Sequence, residues 1–186
     1  MDTGAEQPEE HEWLRLAQAG DRAAFSHLVR RHQDAVHRFI LRMLGSREEA
    51  LELTQETFIK AWQALPQWQP RAQFRTWVLR IASNSAMDAL RRRKIVEIVP
   101  LLDDYDAPAQ GPGPEAQLQS LQRLRSLESA LAALPAEQRE AILLREIEGL
   151  SYAEIAAVLN VHEGTVKSRL ARAREALACA VRESER

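Results

Sequence analysis

The chain has 186 residues, enough for one large or two small domains, and 45% of them are hydrophobic. With 25 Lys and Arg against 27 Asp and Glu the formal net charge is −2, which excludes a generic polyanion binder and makes the placement of charge the informative quantity. A single cysteine, Cys179, excludes an intrachain disulfide, and no apolar run approaches the ~20 residues of a membrane span.

Residues 1–20 carry a net charge of −4 and have no apolar stretch of the signal-peptide kind. They read as an acidic lead-in, frayed over residues 1–10, and the expected location is the cytoplasm. Residues 21–94 then carry a net of +7, the strongest electrostatic footprint for nucleic acid in the chain. Asp21 suits the N-cap of a helix reaching Leu44, with Phe25, Leu28, Val29, Val36, Phe39, Ile40 and Met43 on its apolar side. Gly45 and Ser46 end that helix and start the next, which covers residues 47–65 and is closed by Pro66. In this second helix Leu53, Phe58 and Trp62 face inward while Glu52, Gln55, Glu56 and Lys60 line the outer side. Taken alone it is an ordinary solvated helix.

A two-proline loop, PQWQPRAQ, spans residues 66–73 and leads into a third helix from Phe74 to Lys94. Residues 71–94 hold seven cations against Asp88 alone, interleaved with Phe74 and Trp77, and Trp68 lies just upstream. Cations hold phosphates and aromatic faces stack on unpaired bases. Trp68, Arg71, Arg75 and Arg80 are therefore candidates for single-stranded DNA, and the Asn84 amide is able to pair with a base edge. Trp77 and Ile81, one turn apart, fit a core position better. Arg91 to Lys94 serve either phosphates or the negative end of the helix dipole.

Residues 100–116, PLLDDYDAPAQGPGPEA, contain four prolines, two glycines and four acids, the composition of a flexible linker. Helices resume near Gln117, and one ends near Ala133. The next covers 136–148 after Pro135, burying Ile142, Leu143 and Ile147, and is stopped by Gly149. The segment SYAEIAAVLNVHEGTVKSRLARAR, residues 151–174, has helix-turn-helix spacing. Ile155/Leu159 and Val166/Leu170 form two buried pairs, Ala156 is small where helices cross, and Asn160 tolerates a left-handed turn. From Thr165 to Arg174 there are four cations (Lys167, Arg169, Arg172, Arg174) and no acid, as a helix in a major groove requires. The predicted fold class is all-α, two helical domains joined by a flexible acidic linker.

Chemistry of other kinds finds little support. His27, His32 and His37 recur every five residues, which does not align them for a metal, and no P-loop or nucleophile elbow is present. Neither a cofactor, a metal nor a catalytic group is expected. Cys179 reads as a small apolar residue beside Leu177 and Val181. A dimeric helix-turn-helix regulator of duplex DNA is the alternative function, and the single-strand platform at 68–94 argues against it.

Together LTQETFIKAW (53–62), FRTWVLRIASNSAMDALRRR (74–93), LPAEQREAILLREIEGLSYAEIA (134–156) and GTVKSRLARARE (164–175) resemble, in order and spacing, the extracytoplasmic-function sigma factors of bacterial RNA polymerase. The resemblance implies a 1–12 acidic tail, a sigma-2-like helical bundle at 13–95, a 96–117 linker and a sigma-4-like domain at 118–186. It implies that Leu53, Gln55, Glu56 and Phe58 dock on the β and β′ subunits of core RNA polymerase. Trp68, Arg71, Arg75, Arg80 and Asn84 would hold the melted −10 strand. Thr165, Lys167, Ser168, Arg169 and Arg172 would read the −35 element of promoter DNA. An anti-sigma factor is an implied partner, and a stress, envelope or metal response the implied regulon. Two departures stand out: Pro70-Arg71 replaces a Gly-acid pair common in relatives, and Ala171 stands where some relatives place an aromatic. The linker acids serve either as an RNA mimic in a basic channel or simply solubility.

Overall fold

The computed structural model describes residues 8–69, 72–93 and 126–184. The expected 96–117 linker lies outside the described residues. Among those described there is no strand, and no helix is long and apolar enough to cross a membrane.

The first bundle comprises α1 (Pro8–Gln18), α2 (Arg22–Leu44), α3 (Arg47–Ala64), a short 3-10 turn (Leu65–Gln67) and α4 (Phe74–Arg92). Local chemistry sets its boundaries. The Asp21 carboxylate accepts from the Ala23 and Ala24 amides at 2.8 and 3.2 Å, satisfying N–H groups that the first turn of α2 leaves without partners. Gly45 closes α2 at φ 67°, its N–H donating to the Leu41 carbonyl, and Ser46 caps α3. Leu28, Val36, Phe39, Ile40, Met43, Ala61, Phe74, Val78 and Leu79 are sealed in the core. Each large side chain so buried contributes about 1.5–3 kcal/mol. Thr54 and Thr57, buried on α3, turn their hydroxyls back to the Ala50 and Leu53 carbonyls at 2.6 Å, so neither leaves an unsatisfied donor.

Helix α1 begins inside the stretch expected to fray. Glu10 explains why: it is buried, accepts from Arg31 Nε at 2.8 Å and meets His32 Nε2 at 3.3 Å on α2. The hydrogen bond with His32, opposed by burial and aided by neighbouring positive charge, holds the Glu10 carboxyl below the usual carboxylate range. Trp13 stacks on His27, with ring centroids 4.9 Å apart.

The second bundle comprises α5 (126–133), α6 (Ala136–Ile142), α7 (Tyr152–Leu159) and α8 (Glu163–Ser184). Its core is Leu134, Ala141, Ile142, Leu144, Leu150, Ile155, Val158, Val166, Leu170 and Ala173. Beyond Ile142 the chain widens over Leu143–Ile147, with the Glu148 amide reaching back five residues to the Leu143 carbonyl. That wider turn rotates Ile147 outward. It was expected to be buried and is 45% exposed, while Glu148 takes the inward place.

Candidate nucleic-acid interface

The helix-turn-helix is built by its caps. Ser151 and Glu154 form a reciprocal capping box at the start of α7: the Ser151 hydroxyl accepts from the Glu154 amide and the Glu154 carboxylate accepts from the Ser151 amide. Burial works against ionisation of Glu154. Hydrogen bonds from Ser151 and Thr76, with Arg75 nearby, outweigh it and hold the carboxyl below its ordinary range. Asn160 ends α7 at φ 53° and ψ 49°, the left-handed conformation the turn requires, and Val161 donates back to Ala156. Val166 and Leu170 are buried, so α8 presents Lys167, Ser168 and Arg172 to solvent on its other side. Lys167 and Arg172 have no ion pair among the described residues. Ser168 donates to the Thr165 carbonyl at 2.9 Å, leaving its oxygen lone pairs to accept. Arg169 is different: it is half-buried and donates to Glu137 at 2.8 Å.

Around α4 the aromatic residues form one cluster. Trp68 lies 5.1 Å from Trp77 and 6.2 Å from Phe74, centroid to centroid. Phe74 is wholly buried and belongs to the core, whereas Trp68 and Trp77 are half-buried. The loop carrying Trp68 is tied down from α1, where the Gln18 amide donates to the Trp68 carbonyl at 2.9 Å. Gln67, Trp68, Thr76, Trp77 and Arg80 line a cleft of about 340 Å³, closed on its far side by Ala157 and Val158 of α7. Asn84 and Arg80 are exposed. Arg75 is half-buried in an ion pair with Glu148, and Arg71 lies outside the described residues.

On α3 the four residues expected to dock on a partner divide. Leu53 (8% exposed) and Phe58 (6%) are core side chains, because positions 53, 54, 57, 58 and 61 form the inward stripe. They cannot also be a contact surface without unpacking the bundle. Gln55 and Glu56 remain outside. The exposed apolar side chains are Leu51 (56%) and Ile59 (57%), which share a face with Gln55 at i, i+4 and i+8 and were not among those expected. Their i, i+4, i+8 spacing with Gln55 is visible in the sequence.

Comparison with known proteins matches the two helical units separately. Residues 28–95 match Sigma-70 region 2 and residues 124–177 match Sigma-70, region 4. The extracytoplasmic-function sigma factor SigE of Mycolicibacterium smegmatis is 43% identical over 162 residues, covering 85% of this chain and 63% of that relative's length. SigW of Bacillus subtilis, of the same family, is 33% identical over 172 residues, covering 88% of this chain and 92% of the relative. The structure of CnrH, solved with the cytosolic domain of CnrY, covers 94% of this chain and 98% of that one, with a TM-score of 0.71 at 28% identity. The Bartonella quintana sigma factor RpoE, solved with the anti-sigma factor NepR, shares the fold with a TM-score of 0.69 at 24% identity, covering 85% of this chain and 96% of that one.

Proposed function

The chain belongs to the extracytoplasmic-function sigma factors, and from that premise we propose that it binds core RNA polymerase, reads the −35 and −10 elements of a small regulon and assists promoter melting. Sigma factors are initiation subunits rather than enzymes, so the residues that matter here bind and do not react. The reading assigns 13–95 to the polymerase clamp and the −10 element, 118–186 to the −35 element, 96–117 to the linker and 1–12 to the acidic N-terminal segment.

One observation carries the reading: a single chain bears two cationic surfaces of different chemistry. The α8 surface, with Thr165, Lys167, Ser168 and Arg172, suits duplex DNA in a major groove, where an Arg bidentate to guanine discriminates by about 1–3 kcal/mol. Arg169 joins it only after leaving Glu137. The α4 surface, with Trp68, Arg75, Arg80 and Asn84, suits unpaired bases, whose extrusion costs a few kcal/mol that a fitted pocket repays. Arg71 completes the set by sequence. The α3 face of Leu51, Gln55, Glu56 and Ile59 is the proposed contact with the polymerase β and β′ subunits. Family membership also supports an anti-sigma partner and a stress, envelope or metal response.

Few phosphate contacts per surface mean weak, salt-sensitive binding by either surface alone. In a gel-shift titration, promoter DNA should be retained specifically only when core polymerase is present. Tight, sequence-specific duplex binding by the free chain as a dimer would support a conventional helix-turn-helix regulator instead.

A further inference from the structure

Gln18, the last residue of α1, reaches across to the loop that carries Trp68. Its Nε2 donates to the Trp68 carbonyl at 2.9 Å and, more weakly, to the Leu65 carbonyl at 3.4 Å. Both partners are acceptors, so only the nitrogen end of the amide can serve them. The two carbonyls bracket the 3-10 turn Leu65–Gln67, in which Pro66 has no amide to donate. The Trp68 amide donates back to the Leu65 carbonyl at 3.1 Å, which closes the turn on itself. The backbone of this loop is thus pinned from another helix at the residue whose ring lines the cleft. That ring tilts 30° against Trp77, with centroids 5.1 Å apart, and meets Phe74 edge-on.

Gln18 is itself held firmly by its own helix. Leu14 and Ala17 are buried, and Glu10 pairs with Arg31 and His32 on α2. The His32 ring lies 5.4 Å from Phe74, so the other end of α1 supports the same aromatic cluster through one intermediary. Directly after Gln18 the helix is closed twice. Gly20, at φ 97°, donates to the Ala17 carbonyl at 3.0 Å, and the Asp21 amide donates to the Leu16 carbonyl at 3.0 Å. The last turn of α1 therefore has a fixed direction, and Gln18 with it. This helix precedes residue 28, where the match to Sigma-70 region 2 begins. A helix outside the matched region thus helps to set the shape of the cleft.

We infer that Gln18 is a positioning residue for recognition of the −10 strand: by pinning the Trp68 carbonyl it fixes where the Trp68 ring stands relative to Trp77 and Arg80, and so the space an unpaired base enters. The inference rests on the proposed role of the Trp68 loop and α4. Gln18 acts through the loop and touches no DNA. Such support matters because a binding constellation works only when held within about 0.5 Å of its productive geometry.

The test uses holoenzyme reconstituted from core RNA polymerase and the full chain. The probes are fluorescent single-stranded oligonucleotides spanning the −10 element of a promoter mapped by run-off transcription, each with one base replaced by an abasic site. With the parent chain, an abasic site at the captured position should weaken binding about tenfold, the loss of one base–aromatic stack. Gln18→Met keeps the length of the side chain and removes the donor. Gln18→Glu keeps its shape and sets a carboxylate against two carbonyl oxygens. Both variants should bind intact and abasic strands alike. The ratio of the two affinities is internal to each sample, so a smaller folded fraction does not move it. A ratio like the parent's in both variants would overturn the inference, whatever the absolute affinities. A parent holoenzyme indifferent to an abasic site at every position would instead overturn the −10 reading on which the inference rests.

Discussion

Ser83 on α4 donates its hydroxyl to the Glu140 carboxylate on α6 across the seam between the two bundles, with both side chains buried. Burial, partly offset by that hydrogen bond and by Arg169 and Arg91, pushes the Glu140 carboxyl up to about 7. Glu137 on the same helix adds repulsion, and Asp88 lines the same cleft from α4.

The packing at this seam therefore favours a protonated Glu140. Its contribution is fully present below about pH 4.5, the ordinary carboxyl value, and is lost as pH rises through about 7. The whole span corresponds to at most about 3 kcal/mol. Urea titrations recorded from pH 5 to 8 should show the packing around Glu140 losing stability as pH rises. Glu140→Gln, neutral at every pH, should flatten that dependence.

The α3 face separates folding from docking. Phe58→Ala should destabilise the first bundle by about 3–5 kcal/mol in urea titration, as deletion of a buried ring does. The double change Leu51→Ser and Ile59→Ser should alter stability by no more than about 0.5 kcal/mol per site, since both are exposed. It should nevertheless weaken complex formation with core polymerase at least about tenfold, a loss of about 1.4 kcal/mol, measured by fluorescence anisotropy of the labelled chain.

Asn160 occupies the left-handed region at the turn between α7 and α8. Asn160→Val should cost about 1–2 kcal/mol, because a β-branched side chain is strained there. Asn160→Gly should be close to neutral. Thermal unfolding of the two variants checks the contrast, and −35 binding in the holoenzyme should fall only for the valine variant.

On α8, Lys167→Ala should weaken holoenzyme binding evenly across promoter variants and lower the salt slope by about 1, as loss of one phosphate contact does. Arg172→Ala should instead relax discrimination at one base pair, by about 1–3 kcal/mol. Competition binding at several salt concentrations distinguishes the two outcomes.

Legibility in the sequence followed the range of the interaction. Asp21, Gly45 and Asn160 act within a few residues of themselves, so cap and turn chemistry placed both ends of α2 and the C-terminal end of α7. The 3.6-residue period recovered Leu28, Val36, Phe39 and Ile40 as core. The same period failed at Ile147, because the chain leaves α-helical bonding at Leu143 and every later side chain turns with it. Glu10 read as tail because its partners, Arg31 and His32, come from the next helix. The seam was invisible for the same reason at greater range. Arg75 and Glu148 are 73 residues apart, and nothing local to either announces the pair. Leu51 and Ile59 lie among Glu52, Gln55, Glu56 and Lys60, and that polar surrounding gives the face the pattern of an ordinary solvated stripe.

Run-off transcription from fragmented genomic DNA of the source organism, with core RNA polymerase and with or without this chain, tests the central claim most directly. The account predicts discrete transcripts that need both components, and their loss on Asn84→Ala or on Arg172→Ala. An absence of core-dependent transcripts, together with footprints on duplex DNA by the free chain, would contradict it.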